Sequence, residues 1–372
     1  MMRLMVKIMI TVVIALMLLG AIMVFTASGT YSLSKFNNFY FLFKSHLWKV
    51  LAAIILMFVF AAIPYDYYRK FSKWLMIITI ILLVITYFWG VKTKGAGRWL
   101  NVFGLFTFQP SELAKFLLII HLSALIERKK HLIKDFKNGF LYALIWIGLI
   151  VGWIIIQPHV SVSIIIILTS FAILYVGGAQ FKHIASVFAV TATIFVPVVL
   201  FYNHARQRVM DYINSLVTGA DINIQVTQAK IALGSGGWGG LGFGNSRQSD
   251  LFLPESYGDF IFSVIGEEIG FIGSLVILIL YFTLFFACLM IAKKSQDKFG
   301  QLLVFGLSFQ ILISAFINIG VVTGLLPTTG IPLPFISFGG TSIILSGISI
   351  GIILNVAQQS LRTEELKLAQ VG

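Results

Sequence analysis

Carboxylates are scarce in this chain, and several of them gather in one place. The stretch LFLPESYGDFIFSVIGEEIGF, residues 251–271, carries Glu255, Tyr257 and Asp259, and Glu267 and Glu268 follow within about two helical turns. Asp259 stands just before the apolar run Phe260 to Ile265. A carboxylate held at such a boundary, partly desolvated, is a competent general base. Asp is equally favoured as the N-cap of a following helix, and position alone leaves both roles open. Glu267 and Glu268 precede GFIGS and read as structural, pairing with cations or capping a long helix from near 271.

Two other stretches carry polar chemistry. In KGAGRWLNVFGLFTFQPSELAKF, residues 94–116, Pro110 with Ser111 and Glu112 makes a helix opening. Glu112 and Lys115 lie on one helix face and can pair. Lys115 falls inside an apolar run, where an ionisable group points to function, and Arg98 stands a short loop away. A structural pair and a cation poised for a phosphate are the two readings. In TGLLPTTGIPLPFISFGGTS, residues 323–342, three prolines and four glycines forbid a regular helix. Leu325, Leu326, Ile331, Leu333, Phe335 and Ile336 make it too apolar for an exposed turn. Such backbone is tolerated at membrane depth only when buried in protein or lining a cavity, so a re-entrant loop is expected.

The elements that must position these groups are membrane helices. The 372 residues are 58% hydrophobic and 11% charged, with mean hydropathy +0.96. Soluble domains carry roughly 25% charged residues. The apolar runs are continuous, which excludes the alternation of barrel strands. We expect an all-α polytopic membrane protein with about ten transmembrane helices, near 8–27, 47–64, 74–91, 113–126, 140–156, 160–176, 184–202, 271–292, 302–322 and 337–356. With the N-terminus inside, the inner segments hold 16 basic residues and the short outer loops hold five, Lys35, Lys44, Lys92, Lys94 and Arg98. Both termini are therefore expected in the cytoplasm.

A single membrane domain, 1–372, follows, with one long outer loop between the seventh and eighth spans. That loop, 203–270, includes the start of the eighth helix and GSGGWGGLGFGNSRQ at 234–248. Its glycines permit close backbone approach to something. Trp238, Leu241 and Phe243 set it apart from a flexible linker, the competing reading. The net charge of +13 fits a positive-inside bias and anionic headgroups, and no basic stripe with interleaved aromatics suggests nucleic acid. Cys288 is the lone cysteine, so no disulfide framework or thiol metal site is expected. Neither a Walker loop nor HExxH occurs, which excludes the ATPases and zinc hydrolases those words mark.

Five words in order resemble the SEDS family of shape, elongation, division and sporulation proteins. They are GRWLN (97–101), FQPSELAKF (108–116), ALGSGGWGGLGFGNSRQ (232–248), LPESYGDFIFSVIGEEIGFIG (253–273) and VVTGLLPTTGIPLPFISFGGTS (321–342). GNSRQ leans toward the FtsW and SpoVE branch rather than RodA. The resemblance implies a peptidoglycan glycosyltransferase of the bacterial cytoplasmic membrane. It would polymerise lipid II beside a class B penicillin-binding protein and other division or elongation membrane proteins. The family's essential aspartate falls on Asp259, the expected general base. Substrate contacts are expected at Arg98, Gln109, Ser111, Glu112, Lys115, Arg247, Gln248, Glu255, Ser337 and Thr341. Two departures stand out: Ser256, Tyr257 and Gly258 where many members have a His-Thr word, and His159 where many carry an acidic residue.

Physical chemistry and resemblance meet at Asp259. A sugar 4-hydroxyl is a poor nucleophile and needs a base. A departing lipid diphosphate needs cations, for which Arg98, Lys115 and Arg247 are candidates. A divalent cation, magnesium or manganese, on Asp259 is a further expectation, and no organic cofactor is. A lipid II flippase and a non-enzymatic scaffold for a penicillin-binding protein are the rival functions.

Overall fold

The computed structural model describes residues 1–371 apart from 94–95, 103–105, 220–222, 252 and 254–255. All ten expected spans fall on helices. They are α1 (Met2–Phe36), α2 (Phe41–Ala62), α3 (Asp66–Trp89), α4 (Pro110–Lys129), α5 (Leu141–Ile156), α6 (Val160–Val176) and α7 (Phe181–Phe201), followed after a gap by three more. The gap holds α8 (Asn203–Thr218), α9 (Ile224–Ser235) and α10 (Arg247–Leu251), and then come α11 (Ile261–Lys294), α12 (Lys298–Val322) and α13 (Gly340–Val371). Among the described residues, eight helices are long and apolar enough to cross a membrane, α5 being counted with the helical turn Phe136–Phe140 that leads into it. The other two expected spans are α6, apolar but 17 residues long, and α4, which carries Glu112, Lys115, Glu127, Arg128 and Lys129. The protein is a multi-pass membrane protein.

Two departures from the expected helices matter for the site. Three short strands, β1 (Val91–Thr93), β2 (Ala96–Val102) and β3 (Phe106–Phe108), form a small antiparallel sheet in that order. Trp99 pairs with Val91 and Leu100 with Phe108, so Arg98 stands on a strand and not in a loop. Helix α11 starts ten residues earlier than the apolar run suggests, and breaks at Gly270 (φ 69°).

Small residues set the tightest packing. Gly347 and Gly351 of α13 face the backbone of α2, where an added Cβ would lie 2.6 Å from the Ala53 carbonyl and 2.3 Å from that of Met57. This is close approach through a small-xxx-small pair. Helices α12 and α13 are largely buried, whereas α7 buries only Ile184 among its described residues. In the irregular segment 323–339 the second half lies inside the bundle, with Ile331, Leu333, Phe335, Ile336 and Ser337 buried, whereas Leu325 and Leu326 are exposed, contrary to the expectation from their apolar character.

Candidate active site

Three consecutive carbonyls fix the approach to Asp259. The Phe338 N–H donates to the Tyr257 carbonyl at 2.9 Å. The Ser337 hydroxyl donates to Gly258 at 2.8 Å, and Asn318 Nδ2 donates to Asp259 at 2.7 Å. Asn318 also donates to the Ile331 carbonyl at 2.8 Å, so α12 ties the aspartate segment to the irregular one. Ser337 accepts the Leu333 N–H at 2.7 Å, and its hydroxyl is thus used within the scaffold. Phe260 holds the cap position of α11 and no side chain caps it, which removes the N-cap role from Asp259.

Asp259 lines a cavity of about 280 Å³ together with Arg208, Gln225, Asn318, Thr328 and Thr329. Arg208, from α8, escaped the sequence reading. Its guanidinium donates to the carbonyls of Thr328 and Thr329, each at 3.3 Å. A second cavity, about 210 Å³, is lined by Arg98, His159, Arg208, Thr328 and Thr329, so Arg208 borders both. Arg98 donates through Nε to the Gln157 carbonyl at 3.3 Å and through Nη2 to that of Pro158. Burial lowers the pKa of Arg98, and the Arg208 charge lowers it further. Burial also lowers that of Arg208, while Asp259 draws it back up. Each guanidinium would gain from an anion delivered to these cavities.

The opening of α4 forms a polar cluster beside them. His159 Nδ1 lies 3.4 Å from Gln109 Nε2 and 3.2 Å from the Ser111 hydroxyl. Gln109 N–H donates to the Thr341 hydroxyl at 3.1 Å. Lys115 and Glu112 form a buried pair at 2.8 Å. Burial, then the charges of Arg98, Lys115 and Arg208, push the His159 pKa down to about 3, so the imidazole is neutral.

The glycine-rich word approaches α11. Leu241 and Gly242 donate backbone N–H groups to the carbonyls of Glu267 and Glu268, both at 2.9 Å. Past the Gly270 break, Phe271 and Ile272 donate back to Gly237 and Trp238 at 2.9 and 3.2 Å. A Cβ on Gly236 would come within 1.9 Å of the Gly266 carbonyl, and one on Gly240 within 2.2 Å of that of Glu268. The buried Glu267 carboxylate accepts the Ser246 hydroxyl (2.5 Å) and the N–H groups of Arg247 (3.1 Å) and Gln248 (3.3 Å). Ser235 adds a contact at 3.4 Å. Glu267 is thus a clamp on GNSRQ.

Of the expected site residues, Asp259 and Arg98 line the two joined cavities. Gln109, Ser111 and Thr341 support the α4 cluster, and Glu112 neutralises Lys115. Arg247 and Gln248 line neither cavity, because the Glu267 clamp holds their backbone on α10. Glu255 lies outside the described residues. Arg208 could have been found in ARQR (205–208), two arginines directly beyond an apolar span. Among the described residues no three His, Cys, Asp or Glu side chains converge as a metal site.

The chain matches the family of cell cycle proteins grouping FtsW, RodA and SpoVE over residues 6–362. It is 36% identical over 356 residues to stage V sporulation protein E of Bacillus subtilis, covering 94% of this chain and 96% of that protein. A probable peptidoglycan glycosyltransferase FtsW of Geobacter sp. (strain M18) is 34% identical over 340 residues, covering 91% of this chain and 92% of the relative. In fold the chain is similar to the rod shape determining protein RodA of Thermus thermophilus, with TM-score 0.70, 23% identity and coverage of 95% and 96%. It is also similar to a chain from work on the structural coordination of polymerization and crosslinking by a peptidoglycan synthase complex. There the TM-score is 0.76 at 22% identity, with coverage of 95% of this chain and 97% of that one.

Proposed function

The chain belongs to the FtsW, RodA and SpoVE family of cell cycle proteins, and from that premise we propose that it is a peptidoglycan glycosyltransferase joining lipid II units into glycan strands. One observation carries the mechanism: Asp259 and Arg208 face the same cavity. Asp259 accepts the proton of the acceptor sugar's 4-hydroxyl as that oxygen bonds to the donor's C1. The bond from C1 to the diphosphate oxygen breaks, and its electron pair leaves on the polyprenyl diphosphate. Arg208, with Arg98 in the adjoining cavity, stabilises the charge that develops there. A divalent ion on Asp259 would draw its remaining ligands from substrate phosphates and water, and no step here depends on it.

A groove of about 560 Å³ supports a lipid-linked substrate. It runs between α6, α7 and α8 with an apolar lining. It meets the Arg98 cavity at Ile164, Phe195, Val199 and Val209. A hydrocarbon chain in the groove would bring its diphosphate to the two arginines. The reading sets this chemistry at the outer face of the bacterial cytoplasmic membrane, with both termini inside. A crosslinking partner of the class B penicillin-binding type would receive the strand.

The test is polymerisation of purified lipid II by the purified protein, with its partner and with Asp259→Asn. Asparagine keeps size and hydrogen-bonding capacity but removes the basicity, so rates should fall by about 10²–10⁴-fold. Near wild-type strands from the Asn variant would sink the base assignment. For orientation, a cysteine replacing Ser249 should label from outside in intact cells and one replacing Ser295 should not. The inverse pattern would put the site on the wrong side.

A further inference from the structure

Building one glycosidic bond from two lipid-linked sugars requires the enzyme to hold two diphosphates at once. The donor's diphosphate leaves from the reacting carbon, beside the base. The acceptor's diphosphate lies a disaccharide's length from the 4-hydroxyl that reacts. Arg208 and Arg98 account for one anion, and a second cation should stand back from Asp259, behind the cavity wall.

Lys49 of α2 stands there. Its ammonium lies 3.8 Å from the centre of the Phe338 ring. Phe338 and Tyr257 both line the Asp259 cavity, pack edge to face at 5.5 Å and share a backbone hydrogen bond. The cation is thus one aromatic ring removed from the reaction chamber. It enters from α2, which packs on α1 and α13, whereas Arg208 enters from α8, which packs on α7. Lys49 sits within a membrane helix between exposed Leu47, Trp48 and Leu51, so its surroundings on that face are hydrocarbon. Among the described residues no carboxylate pairs with it. One turn away, His46 is fully buried against Phe338, its ring centre 6.0 Å off, and neither ring nitrogen has a hydrogen-bond partner. An ammonium at membrane depth with no carboxylate partner among the described residues, and with a donor-capable imidazole beside it, is costly unless an anion is recognised there.

We propose that Lys49, seated on Phe338, holds the diphosphate of the acceptor lipid while Arg208 holds that of the donor. The inference rests on the polymerase reading for the names of the two lipids, but the anion site itself does not. Hydrocarbon beside Lys49 suits an acceptor still anchored in the bilayer.

Kinetics and binding test it separately. Lys49→Met keeps side-chain length and removes the charge. The lipid II concentration for half-maximal polymerisation should rise roughly 10–100-fold, with the maximal rate retained. Lys49→Arg should restore the low value, which a purely packing role would not require. An unchanged half-maximal concentration in Lys49→Met overturns the proposal, whatever Asp259→Asn does. Independently, native mass spectrometry of the Asp259→Asn protein with undecaprenyl diphosphate should show two molecules bound per chain. The Asp259→Asn, Lys49→Met double variant should bind one. Binding of one by the first protein, or of two by the second, also overturns it. If the binding pattern holds but the native protein makes no strands, the anion site stands and the polymerase reading fails.

Discussion

Two arginine clusters in this molecule have opposite chemistry. Arg69, at the start of α3, is surrounded by carboxylates: Asp66, Glu127 at 3.2 Å and Asp297 at 3.0 Å. Those carboxylates have further duties, since Asp297 accepts the Gly300 N–H and Glu127 accepts the Phe299 N–H. The result joins α3, α4 and α12, with three carboxylates around one guanidinium. Arg98 and Arg208, around the Asp259 cavity, direct their hydrogen bonds to backbone carbonyls. Carbonyl dipoles hold a guanidinium in place without cancelling its charge. One cluster is complete as folded, and the other sets two guanidiniums against the single Asp259 carboxylate, with charge to spare for an anion. On the proposed reading the same residue type is structural in the first and functional in the second, and the partners decide which.

The largest expected effect breaks the second cluster. Arg208→Gln should lower kcat/KM for lipid II by about 10²–10³-fold, the usual cost of losing a group aimed at developing charge. Its melting temperature should stay near that of the native protein, because two carbonyl contacts at the surface of the bundle are a small share of the packing. A variant with full activity would remove Arg208 from the site and leave Arg98 as the cation.

Next in size is Glu267→Gln. The buried carboxylate accepts charge-assisted hydrogen bonds from the GNSRQ segment, and a neutral amide would weaken them and place an NH₂ against donors. A loss of about 1.5–3 kcal/mol in unfolding free energy is expected. Hydrogen exchange should accelerate at Arg247 and Gln248 before it does in α12. Uniform acceleration across the bundle would argue that Glu267 supports the fold as a whole and not this segment.

The run of apolar spans was legible because each helix must cover its own backbone in hydrocarbon, and that leaves a long uninterrupted signal. Asp259 was legible for the related reason that a carboxylate beside such a run is conspicuous. What the pattern could not carry was pairing across the chain. Ser337 read as a substrate hydroxyl because its true partner, the Gly258 carbonyl, is 79 residues away. Arg208 carried no signal of its pairing in the long outer segment, because only the fold lays it on Thr328, 120 residues on. The strands at 91–108 are short and glycine-interrupted, and their ladder is visible only once paired. The glycines at 236–242 signalled close approach, but only the break at Gly270 identifies α11 as the surface approached.

A smaller effect should come from the carboxylate-bound cluster. The Arg69 side chain is 34% exposed, so solvent screens its pairs, and Arg69→Gln should cost about 1 kcal/mol in stability. Polymerisation per folded molecule should be unchanged within about twofold, inside the scatter of surface substitutions. Loss of activity in protein that remains folded would break the contrast between the clusters, by making the carboxylate-bound arginine functional too.

The smallest effect concerns His159, which sits among the cations of the open cluster. Burial, Arg98, Lys115 and Arg208 hold its folded pKa at about 3, below the ordinary value of 6.5. The unfolded chain therefore takes up a proton below about pH 6.5 that the folded chain refuses. The stability linked to this group is fully present above that pH and is lost progressively as pH falls toward 3. Between pH 7.5 and 6 the loss amounts to about 1 kcal/mol, and His159→Asn should flatten that part of the profile. The Asn variant can still hydrogen-bond to Ser111, so its stability at pH 7.5 should stay close to native. If the native profile is already flat over this range, an anion bound among Arg98, Arg208 and Lys115 has screened the imidazole. Stripping polyprenyl diphosphate from the protein should then restore the slope, and a slope that stays absent would mean the three cations do not act on His159 together.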